Sequence, residues 1–172
     1  GAKREMIVRK TSVFPVKRDV VFDRLQRLET LQYIAAPYAS FTPVDRSTDF
    51  QWKIGNCSAY RFRLFGRIPY GTHTIRIERF DEDVVQSRES NEHVPVWNHR
   101  ITLRDLGMST EYTDEVEIEA GWKTPLIWLW AKAFYAHRQR KWIRLLKTGG
   151  TQETWFYRFD LPNDQKFSMK KN

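Results

Sequence analysis

Residues 96–106 and 110–120 form two period-two runs joined around Gly107, and residues 125–147 follow with helical periodicity. Period two sends alternate side chains to opposite faces of a strand, whereas a repeat of 3.6 draws one stripe along a helix. A tight turn at Gly107 pairs odd positions of the first strand with even positions of the second. Trp97, His99, Ile101 and Leu103 are therefore expected on the same side as Tyr112, Asp114, Val116 and Ile118. If Leu106 pairs with Ser109, Ile101 stands opposite Asp114, and His99 lies on the diagonal within reach of a direct or water-bridged contact. An acid and an imidazole then share the concave side of the hairpin. They fit either a satisfied structural pair that fixes the register or a functional pair facing a pocket.

The helix after the hairpin constrains the chain further. Pro125 suits a first-turn position and Gly149-Gly150 a stop. Ile127, Ala131, Phe134, Tyr135, Trp142, Leu145 and Leu146 make one face, with Arg138 at its centre. An arginine there can salt-bridge inward, meet an anionic or carbonyl group of a ligand, or snorkel past the sheet end. Leu126, Leu129, Trp130 and Ala133 fall on the far side and need a cover. The alternating Trp155, Tyr157 and Phe159 predict an extra strand or arm in the tail, packed on its own helix or on a second chain.

Upstream, residues 6–13 predict a strand ended by Pro15. Asp19 as N-cap opens a short amphipathic helix, and Thr30 caps a second that Pro37 breaks. Residues 41–44 suggest a weak strand and 45–56 a loop. From Ser58 the period is two again, with Tyr60, Phe62 and Leu64 on one face. Residues 66–71 form a turn, and residues 72–80 a strand with His73, Ile75 and Ile77 inward. Residues 84–91 are unusual because neither face is apolar beyond Val85. A one-residue bulge decides whether Arg88 or Glu89 points inside.

At 172 residues and 41% hydrophobic composition the chain is expected to form one domain, residues 1–150, followed by a tail at 151–172. A lone Cys57 excludes an intrachain disulfide framework and a cysteine-rich zinc site. Residues 1–10 lack a signal-peptide pattern, and the longest apolar run, 125–131, is far below the roughly 20 residues of a membrane span. A soluble, cytoplasmic protein is the expectation. The net charge of +8 would suit nucleic acid or anionic lipid. Its basic residues cluster at element ends and tails with no nucleic-acid-binding motif, so a solvated surface is expected and a nucleic-acid partner is not. His73, His93, His99 and His137 lack tight metal spacing, and no phosphate loop or nucleophile elbow occurs. No cofactor is expected.

The element order, one strand, two short helices, a run of antiparallel strands and a long C-terminal helix, resembles the START-like SRPBCC superfamily over about residues 5–148. The most specific part is Val96-Trp97-Asn98-His99-Arg100-Ile101, Gly107 and Thr113-Asp114-Glu115-Val116-Glu117, similar to the W-x-H and T-D-x-V strands of bacterial ligand-binding members. Residues 134–140 resemble their arginine-bearing closing helix. The resemblance implies an α+β helix-grip fold, a curved antiparallel sheet wrapped around the last helix with an internal cavity for an apolar or aromatic ligand. No Rieske ligand set is present.

The expected ligand-binding walls are Phe62, Ile75, Trp97, Ile101, Tyr112, Trp130 and Phe134, with polar contacts from His73, His99, Asp114 and Arg138. The expected partner is a hydrophobic small molecule or lipid. Two alternatives stand beside it. One is a polyketide cyclase or dehydratase, in which His99 and Asp114 perform acid–base chemistry and Arg138 polarises a carbonyl. The other is a lipid-transfer module docking on an anionic membrane surface through Trp128, Trp130 and the cationic helix end. A homodimer through the aromatic helix and tail is a further expectation.

Overall fold

The structure, a computed structural model, describes residues 5–45 and 53–148. Most of the expected 45–56 loop, the Gly149-Gly150 stop and the aromatic tail lie outside the described residues. The first strand, β1 (Met6–Phe14), is followed by two short helices, α1 (Arg18–Leu25) and α2 (Leu28–Ala35). Six strands come next: β2 (Ala39–Pro43), β3 (Cys57–Leu64), β4 (Ile68–Phe80), β5 (Val84–Asn91), β6 (Val94–Asp105) and β7 (Thr110–Glu119). A single 3₁₀ turn (Gly121–Lys123) leads into α3 (Thr124–Thr148).

The strands form one antiparallel sheet in the order β1-β7-β6-β5-β4-β3-β2. The sheet curves around α3, whose inward stripe is Ala131, Phe134, Tyr135, Gln139, Trp142 and Leu145. Their spacing is that of a single helical face. Here the α+β helix-grip architecture expected from the sequence is observed. The β6–β7 register is also the expected one, with Leu106 N–H bonded to Ser109 O and Ile101 opposite Asp114.

Three local expectations fail. Lys17 and Arg27, not Asp19 and Thr30, occupy the N-cap positions of α1 and α2, and neither side chain caps. Burial of Val21, Leu25 and Ile34 sets where these helices begin, because in short helices tertiary packing outweighs local signals. Asp19 still sits in the first turn, where it accepts a bond from Val20 N–H and suits the helix's positive end. The expected turn at 66–71 is shorter, since β4 already starts at Ile68 and carries Gly71 within it. Gly71 has φ +77°, and a Cβ there would collide with the Glu92 carboxylate, so the glycine permits the β5–β6 turn to close over β4.

Two apolar clusters divide the space between sheet and α3. One joins Phe14, Val21, Leu25, Ile34, Leu103, Tyr112, Trp142 and Leu145 beneath α1 and α2. The other gathers Val8, Trp97, Val116, Ile118, Ala131, Phe134 and Tyr135 under the first half of α3.

Candidate functional site

Beside the second cluster the sheet and helix do not meet. They leave a cavity of about 290 Å³. Its apolar wall includes Phe41, Tyr60, Phe62 and Ile75 from β2 to β4, Trp97 and Ile101 from β6, and Leu31 and Ala35 from α2. Leu126, Ile127, Trp130, Phe134 and Tyr135 close it from α3, with Trp130 stacked on Phe134 at 4.6 Å between ring centroids. Period-two alternation along β4, β5 and β6 also turns His73, Ser87, Glu89, Asn91 and His99 inward.

Of the side chains expected to bind a ligand, Phe62, His73, Ile75, Trp97, His99, Ile101, Trp130, Phe134 and Arg138 line this cavity. Tyr112 and Asp114 do not. Both share the inward face of β7 but are fully buried beneath α3, Tyr112 stacked on Phe14 and Asp114 behind His99. Leu126, expected on the far side of the helix, also forms part of the wall beside Trp130. The two tryptophans of the membrane expectation sit at the two sides of the helix start. Trp128 Nε1–H donates to Ile7 O at 2.8 Å, and Trp130 faces the cavity.

The register settles the ambiguity on β5 in favour of Glu89. Alternation along β5 runs unbroken from Val85 through Ser87 to Glu89, which turns Glu89 inward and sends Arg88 outward to Glu78 (3.2 Å). Glu89 Oε1 lies 2.8 Å from His73 Nε2, and its Oε2 accepts from Ser87 Oγ at 2.5 Å. Burial alone would raise the Glu89 pKa. The bond to His73 and the charges of His73 and His99 outweigh it and hold the group below the usual carboxylate range.

Asp114 is anchored from three sides. His99 Nε2 lies 2.7 Å from Oδ1, the Tyr112 hydroxyl donates to the same oxygen at 3.4 Å, and Gln139 Nε2–H donates to Oδ2 at 3.0 Å. Burial again pushes its pKa up. The His99 bond, the positive charge of Arg138 and the Gln139 bond prevail and lower it. Because a carboxylate only accepts, His99 Nε2 carries a proton toward Asp114, while Nδ1 lies 3.8 Å from Glu89 Oε2 without a hydrogen bond to a described residue. Gln139 further donates to Lys10 O (2.8 Å) and accepts from Ser12 Oγ (2.6 Å), so one amide ties α3, β1 and Asp114 together.

Arg138 lies over the Tyr135 ring at 5.0 Å and the Phe134 ring at 5.8 Å. Burial works against its charge, but the carboxylates of Asp114 and Glu89 and the two phenols Tyr135 and Tyr112 raise its pKa above that of ordinary arginine. Its Nε–H is buried and has no hydrogen-bond partner among the described residues. An unpartnered buried donor on a cavity wall is a place for an acceptor atom. Among the described residues no group of three or more His, Cys, Asp or Glu side chains is arranged to hold a metal ion.

Sequence reasoning missed Glu89 as a definite wall residue, and it missed Gln139 and Tyr135 as parts of the site. Tyr135 was visible as an apolar-face position. Gln139, one step from Arg138 on the same helix, carried no signal separating it from a solvated polar residue.

The sequence matches the DUF8410 family, a domain of unknown function, over residues 12–146. The chain belongs to that family. No curated protein matches it. Among solved structures, the DUF8410 chain resembles protein CV1439 from Chromobacterium violaceum, with TM-score 0.67 and 12% identity over 81% of this chain and 96% of that one. It also resembles a START superfamily protein from Mycobacterium smegmatis, with TM-score 0.63 and 14% identity over 83% and 97% of the two chains. A third similar structure is the Zhui aromatase/cyclase from Streptomyces sp. R1128, with TM-score 0.57 and 14% identity over 88% and 96%. At such identities the likeness is one of fold, and the fold of this DUF8410 member is the START-like, SRPBCC helix-grip fold. Among the described residues no helix is long and apolar enough to cross a membrane.

Proposed function

We propose that this DUF8410 protein binds a hydrophobic small molecule in the cavity between sheet and α3, with a polar atom of that molecule against Arg138. The observation that carries the reading is a hollow of about 290 Å³ walled mainly by aromatic and aliphatic side chains, with one orphaned guanidinium Nε–H in its lining. Ligand sites are commonly of this kind, roughly 300 Å³ or more, largely apolar, with a few placed polar groups. A well-packed core of the same residues would leave no void of this size. The test is native mass spectrometry of protein purified from its own host, followed by extraction of whatever accompanies it. A stoichiometric apolar passenger is expected. A clean apo mass, together with no saturable uptake of apolar aromatic probes, would refute the reading.

One observation favours an enzymatic second reading. The His99 imidazole lines the cavity while Asp114 orients it from behind at 2.7 Å, the arrangement of a general base with its carboxylate. Substitution of either residue would then abolish turnover and leave ligand uptake in place. A role for the pair in folding alone predicts the reverse, lost stability with no catalytic consequence.

A further inference from the structure

Four titratable side chains stand in a row across β4 to β7. His73, Glu89, His99 and Asp114 come from successive strands, and imidazole alternates with carboxylate. His73 Nε2 lies 2.8 Å from Glu89 Oε1, His99 Nδ1 lies 3.8 Å from Glu89 Oε2, and His99 Nε2 lies 2.7 Å from Asp114 Oδ1. The register builds this row. Glu89 is opposite Ile75, Ser87 opposite His99 and Ile101 opposite Asp114, so each titratable group sits near the next across the sheet.

The tautomers follow from the acids. Each carboxylate accepts a hydrogen bond from the Nε2–H it touches, which leaves Nδ1 of both rings as the exchanging nitrogen. Neither Nδ1 makes a hydrogen bond to a described residue, and both imidazoles line the cavity. A pair that served the fold alone would need one histidine and one acid. Here a single carboxylate reaches two histidines, and Arg138 on the helix supplies an unpartnered N–H.

We propose that the cavity is an acid–base site that moves a proton from the carbon beside a carbonyl group to the far carbon of a neighbouring double bond, with His99 and His73 as proton carriers and Glu89 as the residue that orients His73 and faces His99. The proposal rests on the binding reading above. The substrate class is a neutral apolar ketone with a carbon–carbon double bond one carbon removed. A neutral head is favoured because Asp114 offsets the charge of Arg138 and Glu89 that of protonated His73, so an anionic head would add an unmatched negative charge.

In the step, neutral His99 Nδ1 takes a proton from the carbon beside the carbonyl. The C–H electron pair moves into the conjugated system and leaves a dienolate, whose oxygen accepts from Arg138 Nε–H. Protonated His73, its charge matched by Glu89, then gives its Nδ1 proton to the far carbon. Substrate and product are isomers, so no oxidant, reductant or leaving group is involved. His99 loses the proton it gained, and His73 regains the one it gave, by exchange with water.

The probes are naphthyl allyl ketone, which can conjugate, and naphthyl propyl ketone, which can only bind and exchange. The wild-type chain is expected to bind both, to convert the first to its conjugated isomer, and to place deuterium at the new C–H bond in D₂O. H99Q and E89Q should lower kcat by about a hundredfold, the usual scale of acid–base assistance, with KM within about twofold. H73Q should keep the exchange of hydrogens beside the carbonyl but lose conjugation, and E89D should recover part of what E89Q loses. A wild-type chain that binds naphthyl propyl ketone yet neither exchanges its hydrogens nor conjugates the allyl ketone above the buffer rate overturns the proposal and leaves the binding reading intact. That comparison needs no variant, so a misfolded H99Q chain does not weaken it. If neither ketone binds, the binding reading fails, and this proposal fails with it.

Discussion

The space beneath α3 is lined with aromatic residues along its whole length, yet one end is packed and the other hollow. At the packed end Trp142 is fully buried, with Phe14 and Tyr112 at 5.6 and 5.8 Å between ring centroids, and α1 and α2 seal it. At the hollow end Trp97, Trp130 and Phe134 stand around a void with histidines, a glutamate and an arginine among them. Asp114 marks the border, bonded to Tyr112 on the packed side and to His99 on the cavity side. Amino-acid type alone does not separate the two ends. Inward-facing polar groups do, because they need partners and cannot be covered by apolar side chains at no cost. The packed end therefore supplies stability, and the hollow end gives up packing to leave a cavity.

The largest expected effect breaks the packed end. Trp142→Ala should cost about 3–5 kcal/mol of stability, the usual penalty for truncating a fully buried large aromatic, read as a lower midpoint in urea denaturation. The protein that stays folded should bind apolar probes with near wild-type affinity. Similar loss from Phe134→Ala would erase the contrast between the two ends. For Phe134, which borders an existing void, the account expects less than half that cost and a clear fall in affinity.

Next in size is the border. Asp114→Asn leaves His99 and Arg138 without their carboxylate and should cost about 3 kcal/mol near neutral pH, in the range for breaking a buried charged pair. The pH dependence follows from sign. Asp114 and Glu89 titrate below their ordinary values in the folded chain. An acid depressed on folding stabilises above its unfolded pKa, about 4, and that contribution is lost as pH falls through the folded value. Wild-type stability should therefore drop steeply in acid, and Asp114→Asn should show a shallower acid limb in melts collected across pH. A limb of equal slope would place the acid sensitivity elsewhere.

The smallest effect on stability, and the sharpest on function, is expected at the hollow end. Arg138→Leu removes a buried charge that helps keep Asp114 ionised, so the melting temperature should fall, though by less than for Asp114→Asn, which also weakens the bonds from His99 and Gln139. Affinity for an apolar ketone should fall about tenfold, the scale of one buried hydrogen bond to a charged group. Unchanged affinity would make Arg138 a structural cation and nothing more.

Much of this contrast was written in the chain, and the reasons for the gaps are physical. The β6–β7 hairpin was readable down to the Ile101–Asp114 pair, because side-chain alternation and a tight turn together leave one register. The inward stripe of α3 was readable from its spacing for the same kind of reason. Glu89 was not assigned, since β5 has no apolar stripe beyond Val85 to show whether a bulge intervenes, and only strand pairing shows the alternation unbroken from Val85 to Glu89. Leu126 was misplaced because a helix held in a curved sheet is contacted over a wider arc than a helix on a flat one. Gln139 was invisible, as its partners are a backbone carbonyl of β1 and the carboxylate of Asp114. The hollow itself was expected from the resemblance, and its extent emerges only when the elements are assembled.

The central claim is that the hollow end receives an apolar small molecule. The most direct measurement is calorimetric titration of naphthyl propyl ketone into the wild-type chain and into Ile75→Trp, which places a large side chain inside the void. The account predicts saturable one-to-one binding to the wild type and its loss in Ile75→Trp, with a melting temperature equal to or above that of the wild type. Binding that survives Ile75→Trp unchanged, or no binding to either chain, would contradict it.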